Sequence, residues 1–320
     1  MENLDNLGES KPNILVLTVT YNSELYISGL IQCLLKQDYP KFSIVVRDDC
    51  SSDDTVRIAQ SALGERGKVL VNHRRKGRNW TINQSLPLSS DFDYIVILNA
   101  STRFDKDLIS SLASFAESMG DSFGGATPQI YDACTLQPFV GRRTVGFSNL
   151  VRTFLSIPES NMKKFDFSGK PYIGVDSFWG CCCILKAELV NKLGFDEELV
   201  TYGDEPDFSY RATALGYRFY WTYCKESIYK TNTSTSDKKG LTPYAVYYGL
   251  RNRLILLLRY GSAFEILLIP FFIFFYAIQV FKRPKSLRSF LGALVYVISN
   301  LPLILQFRRI WRSKLKSAKT

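Results

Sequence analysis

Apolar and polar positions along the first third of the chain fall into short alternating blocks. Residues 14–20 (ILVLTVT) are a β-branched apolar run, the pattern of a strand buried on both faces. The polar stretch YNSE follows, with Asn22 or Ser23 placed to cap a helix that runs to Leu35. A second strand, FSIVVRD, ends at Asp48-Asp49, and the acidic, serine-rich turn CSSDDT caps a helix from Thr55. KVLVN predicts a third strand and YIVILN a fourth, ending on Asn99. Strands alternating with helices predict a parallel sheet covered on both faces. In such sheets ligands bind beyond the carboxyl ends of the strands. The polar clusters at 20–23, 48–54 and 99–102 all stand at those ends.

Residues 121–175 are irregular and rich in Gly, Ser and Phe, and read as an acceptor-side loop region. Order returns over 176–230, with an aromatic-glycine segment (FWGCCCILK) and then FDEELVTYGDEPDFSYRATALGYRFYW. The three consecutive cysteines alternate along a strand and read as small core residues. From Thr242 the pattern turns helical and basic, and two apolar stretches follow at 260–281 and 289–307. Each is about 20 residues, enough to span a bilayer, although Glu265 and Pro270 interrupt the first. The connecting Lys282, Arg283, Lys285 and Arg288 resist translocation. A helical hairpin dipping into the cytosolic leaflet therefore fits as well as two spans. Packing of these helices on a soluble domain is the third arrangement, disfavoured by their aromatic, nearly uncharged faces. The chain divides into a polar tail (1–12), an α/β domain (13–240) and a basic, membrane-associated helical segment (241–320).

Composition narrows the function. Hydrophobic residues make up 46% and charged residues 22% of 320, which excludes a disordered chain. The formal net charge is +10, and the positive residues crowd the last third beside the apolar runs. That placement points to lipid headgroups more than to nucleic acid. Seven cysteines without a C-x-x-C pair suggest neither a disulfide framework nor a zinc site, and a single histidine excludes histidine-rich metal chemistry. The polar, acidic start MENLDNLGESKPN is not a signal peptide, so the α/β domain is expected to face the cytosol. The N-x-S/T sequons at Asn79, Asn83, Asn99 and Asn232 are then chance matches.

Taken in order, these segments resemble the large inverting glycosyltransferase family 2, which includes cellulose synthase and bacterial rhamnosyltransferases and has a GT-A fold. TVTYN resembles the family's P-T-Y-N, and QDYPKFSIVVRDDCSSDDT follows its Q-x-Y-P…I-V-V-D-D-x-S-x-D-x-T almost position for position. The resemblance covers roughly residues 13–255. It implies a nucleotide-sugar donor, UDP- or dTDP-linked by preference, and a lipid-linked or membrane-borne glycan acceptor. It places Thr20, Tyr21 and Asn22 at the border of the nucleotide and gives Asp48 a hydrogen bond from the base, whose N–H a carboxylate can accept. Read without the family, Asp48, Ser51 and Ser52 cap the following helix. Gly77 and Asn83 keep the spacing of the family's N-x-G-x-x-x-x-x-N element. The basic insert around them (His73, Arg74, Arg75, Lys76, Arg78) reads equally as a contact for a diphosphate or anionic acceptor and as a solvated loop. Trp179 and Gly180 match the family's aromatic-glycine floor under the donor sugar, where a glycine permits close approach.

Two departures belong together. The family holds Mg²⁺ or Mn²⁺ with a D-x-D-like motif after the fourth strand. Here ILNAST keeps Asn99 but sets Ser101 where the metal-binding aspartate belongs, and a neutral hydroxyl is a poor ligand for a hard cation. Downstream, SIYKTNTST places Lys230 at the position of a histidine that completes the family's metal site. The two changes together point to metal-independent transfer, with Lys230, and Arg251 or Arg253, as partners of the diphosphate; a surface Lys230 is the bland alternative.

Inverting transfer needs a carboxylate to take the acceptor proton. YGDEPDFSYR resembles the family's Y-G-E-D-x-D-L-x-x-R with the acids reversed, so either Glu205 or Asp204 serves, Glu205 by preference. Adjacent carboxylates raise one another's proton affinity, whereas acids at a helix start otherwise merely favour its dipole. A non-catalytic nucleotide-sugar-binding paralogue or partner subunit is the second reading, supported by Ser101. A nucleotidyltransferase is the third, opposed by TYNSE where a glycine-rich, lysine-containing loop is required.

Overall fold

The computed structural model describes residues 11–134, 171–223, 228–230, 242–281 and 284–317. The expected strands form as read: β1 (Ile14–Thr20), β2 (Phe42–Asp48), β3 (Gly67–Val71) and β4 (Tyr94–Leu98), with helices α1 (Glu24–Leu35), α2 (Thr55–Leu63), α3 (Arg78–Asn83) and α4 (Leu108–Ser118) between and after them. β2, β1 and β4 are adjacent and parallel, and register sets Thr20 beside Asp48 and Thr18 beside Leu98. Alternation along β1 decides the two cores. Ile14 and Val16 face α1 and α4 on one side, while Leu15 and Leu17 join Ile82 of α3 on the other.

The segment from 121 to 175 differs from the loop region expected. It contains β6 (Phe123–Pro128) and β8 (Tyr172–Val175), both in the main sheet, and β7 (Ile130–Asp132) in a smaller one; 135–170 lie outside the described residues. Every residue of β6 is buried. Its Gly124-Gly125 pair erases the hydrophobic alternation by which a strand is recognised. The small residues are needed because a Cβ on Gly125 would lie 2.4 Å from a Leu185 methyl carbon.

β9 (Cys182–Lys186) runs antiparallel between β4 and β6, and β10 (Arg218–Thr222) lies beyond β6. The eight-stranded order is β3-β2-β1-β4-β9-β6-β10-β8, mostly parallel with helices on both faces. Cys182 and Cys183 alternate between the two cores, as expected of small core residues. Because β9 is antiparallel, its beginning meets the end of β4, with Cys182 opposite Leu98. This reversal brings residues 178–181 to the carboxyl ends of β1, β2 and β4. A three-stranded sheet of β5 (Thr102–Arg103), β11 (Ile228–Lys230) and β7 stands beyond the same edge.

Helices α5 (Ala187–Leu193) and α6 (Asp204–Thr213) cover the second face. The chain then enters α7 (Pro243–Tyr260), capped by the Thr242 hydroxyl, which accepts from the Ala245 amide at 3.1 Å. The expected 260–281 stretch is two helices: a capping box of Ser262 and Glu265 starts α8 (Ala263–Leu267), and α9 (Ile269–Phe281) begins after Leu268 with Pro270 in its first turn. The 289–307 stretch likewise divides into α10 (Leu287–Ser299) and α11 (Leu301–Ser317), bent by 58°. No single helix among the described residues is long and apolar enough to cross a membrane; the bent pair meets the length and composition only together. Instead α7 to α11 enclose a third core (Leu250, Leu254, Phe272, Tyr276, Phe290, Ala293, Val297), into which Leu199 of the sheet domain inserts. Their outer side leaves Phe264, Leu267, Phe271, Phe274, Phe281 and Ile298 more than 60% exposed.

Candidate active site

The carboxyl ends of the first strands carry a dense polar network. Asp48 is fully buried and accepts from the Thr20 hydroxyl at 2.8 Å and from the Ser51 amide and hydroxyl at 2.7 and 2.5 Å. Asp49, which sequence reasoning did not single out, accepts from the Lys76 and Gly77 amides at 2.9 and 2.8 Å and from Asn72 and Thr81. It therefore pins the basic insert onto the end of β2. Gly77 can make that turn because its φ of 94° suits glycine.

The helix after β1 is capped across the turn, not by its own residues. Asp53 accepts from the Glu24 amide at 3.2 Å, while the side chains of Asn22 and Ser23 make no cap to α1. Asn22 accepts instead from the Ser52 amide at 3.0 Å, with a left-handed φ of 47°. Tyr21 is exposed, and the Arg75 guanidinium lies 3.9 Å from its ring centre. This part of the insert is thus folded back over the β1 end.

The candidate catalytic residues meet one strand further across. Arg78, the first residue of α3, donates to the Asp204 carboxylate at 3.0 Å and to the Gly180 carbonyl at 2.8 Å. The Gly180 amide donates to Glu205 Oε1 at 3.2 Å. Gly180 therefore lies between a guanidinium and a carboxylate, and a Cβ there would stand 2.6 Å from Glu205 Oε1 and 2.7 Å from Arg78 Nη2. A side chain here would displace one or both of these groups. Trp179 precedes it, with its amide held by the Thr127 hydroxyl at 2.8 Å. Burial and the neighbouring Glu205 carboxylate push Asp204 well above the usual carboxylate range, against the opposing charge of Arg78. Such a displaced carboxyl in a polar cleft marks a functional site.

Sequence reasoning joined Ser101 to Lys230, and the structure sets their backbones side by side. Lys230 pairs with Thr102, the residue after Ser101, in the small sheet. The Lys230 side chain and Asn232 lie outside the described residues. Asn99 donates its amide to the Cys181 carbonyl at 2.9 Å, so the Asn99–Ser101 turn adjoins the carbonyl next to the one Arg78 holds.

The donor set at this turn is an amide and a buried hydroxyl, with no carboxylate, and Asp204 is engaged with Arg78. Among the described residues no group of three or more His, Cys, Asp or Glu is placed to hold a metal ion. The described residues of this turn therefore fit a divalent cation poorly, since such sites ordinarily include at least one carboxylate.

Two of the expected binding residues use their polar groups elsewhere. Asn83 exchanges hydrogen bonds with the Phe195 backbone, at 2.8 Å in both directions. Arg251 is buried, donates to the Glu198 carbonyl and stacks 4.4 Å from the Tyr296 ring centre. Both hold the loop that leads into Asp204 and Glu205.

Comparison with known proteins bears on the family and the fold. Residues 15–194 match the family described as glycosyl transferase family 2. TuaG of Bacillus subtilis (strain 168), a glycosyltransferase assigned to teichuronic acid biosynthesis, is 28% identical over 134 residues, 41% of this chain and 53% of TuaG. The match therefore spans about half of that relative. The crystal structure of Staphylococcus aureus TarS 1–349 with UDP-GlcNAc superposes with a TM-score of 0.56 at 18% identity, over 95% of this chain and 89% of that one. A mannosyltransferase from Pyrobaculum calidifontis with GDP-Man and Mn²⁺ gives 0.53 at 18% identity, over 97% and 85%. At these identities the likeness concerns the fold, a GT-A arrangement.

Proposed function

Because this chain belongs to glycosyl transferase family 2, we propose that it moves a sugar, with inversion, from a nucleoside-diphosphate sugar to a hydroxyl of a cell-envelope glycan. One observation carries this reading: Glu205 and Asp204 close on Gly180 and Arg78 at the carboxyl edge of the sheet. In the proposed reaction the nucleotide lies over the ends of β1 and β2, bordered by Tyr21, Asn22 and the Asp48 turn. The sugar rests on Trp179-Gly180. Glu205 takes the acceptor proton as its oxygen attacks C1, and the C1–O bond breaks with its electrons leaving on the diphosphate. UDP or dTDP is the favoured carrier, and TarS, which resembles this chain in fold, has been crystallised with UDP-GlcNAc. Positive charge from Lys230, whose backbone pairs with Thr102, and from the basic insert takes the part of a metal in this reading. The competing reading, a non-catalytic nucleotide-sugar binder, draws on Ser101 alone.

The test is calorimetric titration with UDP, dTDP and GDP, followed by assay of UDP-sugar turnover with envelope membranes as acceptor. Binding of at least one diphosphate with turnover is expected. Binding without turnover supports the non-catalytic reading, and no binding removes both.

The acceptor is proposed to be membrane-borne, reached by docking α8 to α11 on the lipid surface. The exposed phenylalanines of α8 and α9 form an apolar outer side, and the exposed Lys285, Arg288, Arg309, Arg312 and Lys314 accompany it. This combination suits a helix layer lying in an anionic interface, where each cation contributes about 1 kcal/mol. The chain is expected to sediment with phosphatidylglycerol vesicles and to be partly released by salt. The double replacement Phe271→Ser/Phe274→Ser should abolish sedimentation; retention by that variant would refute the docking.

A further inference from the structure

We propose that the Arg78 guanidinium is the resident cation of this donor site, holding the pyrophosphate of the nucleotide sugar where other members of the fold employ a divalent ion. The proposal rests on the donor reading above and names the residue that receives the charge.

The first argument is position. Arg78 Nη2 holds the Gly180 carbonyl, and the next carbonyl, Cys181, takes the amide of Asn99 at the start of the Asn99–Ser101 turn. The guanidinium is therefore bonded one residue along the chain from the carbonyl that meets this turn. It stands there by construction: the missing Cβ at Gly180 is what leaves room for Nη2, 2.7 Å from that point.

The second argument is unused capacity. A guanidinium has five N–H donors in a planar fork suited to phosphate oxygens. Among the described residues Arg78 makes two hydrogen bonds, to Asp204 and Gly180, and the side chain remains 25% exposed while that of Asp204 is 5% exposed. A salt bridge serving only to fasten α3 to α6 would have no reason to leave the cation as the accessible partner.

The third argument is charge. Burial and Glu205 raise the proton affinity of Asp204, so Arg78 faces closer to one carboxylate charge than to two. The guanidinium itself is available to the pyrophosphate, on which negative charge accumulates as the C1–O bond breaks. A fixed cation already in place is worth most at that stage, because no solvent must reorganise.

The experiment compares full-length wild type, Arg78→Gln and Arg78→Lys by calorimetry with UDP and with uridine, each in EDTA and in excess Mn²⁺. UDP is replaced by dTDP or GDP, and uridine by the corresponding nucleoside, if that nucleotide binds better. Wild type is expected to bind UDP equally in EDTA and Mn²⁺. Arg78→Gln should weaken UDP at least about tenfold, or 1.4 kcal/mol, and leave uridine unchanged, since uridine has no phosphate. Arg78→Lys should recover part of the loss, because it restores the charge without the fork. Equal loss of uridine and UDP in both variants would make Arg78 structural and overturn the proposal, as would wild-type UDP binding that requires Mn²⁺. Should Arg78→Gln not fold, Arg78→Lys and the EDTA comparison decide. Failure of wild type to bind any nucleoside diphosphate would overturn the donor reading itself, and this proposal with it.

Discussion

Glu205→Gln is expected to lower kcat by about 10²–10⁴-fold, the usual contribution of a positioned general base, with nucleotide affinity held within a few-fold. The choice of Glu205 over Asp204 now rests on geometry. Asp204 is buried, and its carboxyl is directed at Arg78. Burial and Glu205 raise its proton affinity while Arg78 opposes them, and the ion pair with Arg78 occupies the carboxyl that would have to meet the acceptor. Glu205 is less buried and accepts from the amide of Gly180, the residue expected to lie under the sugar. The glutamine variant preserves the side-chain shape and the carbonyl acceptor toward Gly180, so it removes the charge while the slot remains. Steady-state turnover and calorimetric donor binding, measured together, check the claim. A variant retaining kcat within tenfold, alongside an inactive Asp204→Asn, would transfer the role to Asp204.

Much of the site was legible because strand ends declare themselves. A continuous apolar run that stops at a polar cluster fixes both the strand and the end at which ligands bind; β1, β2 and β4 and their turns followed from this. The adjacent acids at 204–205 were legible because a helix start after a glycine is a local signal. What escaped depends on contacts between distant segments. The antiparallel insertion of β9 has no local mark, since hydrophobic alternation is the same in either direction. Yet it is this reversal that delivers Gly180 to the β4 end. β6 was hidden by its glycines, chosen for close packing against β9. Arg78 and Arg75 were seen only as members of a basic insert. Nothing in the run RRKGR separates a residue that pairs with Asp204, 126 positions away, from one in solvent. Arg251 was judged from its charge, and charge alone does not say which side of α7 it occupies. The long apolar stretches were read by length, whereas the break at Leu268 and the bend at Asn300 divide each into shorter helices.

The position of Glu205 is secured from the C-terminal helices, which makes Arg259→Met the second substitution with a large expected effect. The loop entering α6 is held from α3 by Asn79 and Asn83 and from α7 by Arg251, Asn252 and Arg259. Arg259 is the densest of these contacts. It is buried, bonded to Asp196 and, at 2.6 Å, to Glu198, and lies 3.7 Å from Asp207, itself fully buried. Asp207 also accepts from Tyr260 at 2.6 Å and Arg211 at 2.8 Å. Removing one cation from such a cluster leaves buried charge uncompensated, a loss of about 3–5 kcal/mol. The pH dependence follows from Asp207. Burial pushes it above the usual carboxylate range, and Arg211, Tyr260 and Arg259 oppose that rise; without Arg259 it rises further. A carboxyl with a raised folded-state pKa destabilises as pH climbs through that value, and the penalty disappears below its unfolded value, about 3.9. Urea unfolding should therefore show the largest gap between Arg259→Met and wild type at neutral and alkaline pH, narrowing as the pH falls toward 4. Turnover should fall along with stability, because the loop that carries the base has lost its hold on α7. A variant as stable as wild type at pH 7, or a gap that widens on acidification, would mean that Arg259 does not bind these carboxylates together.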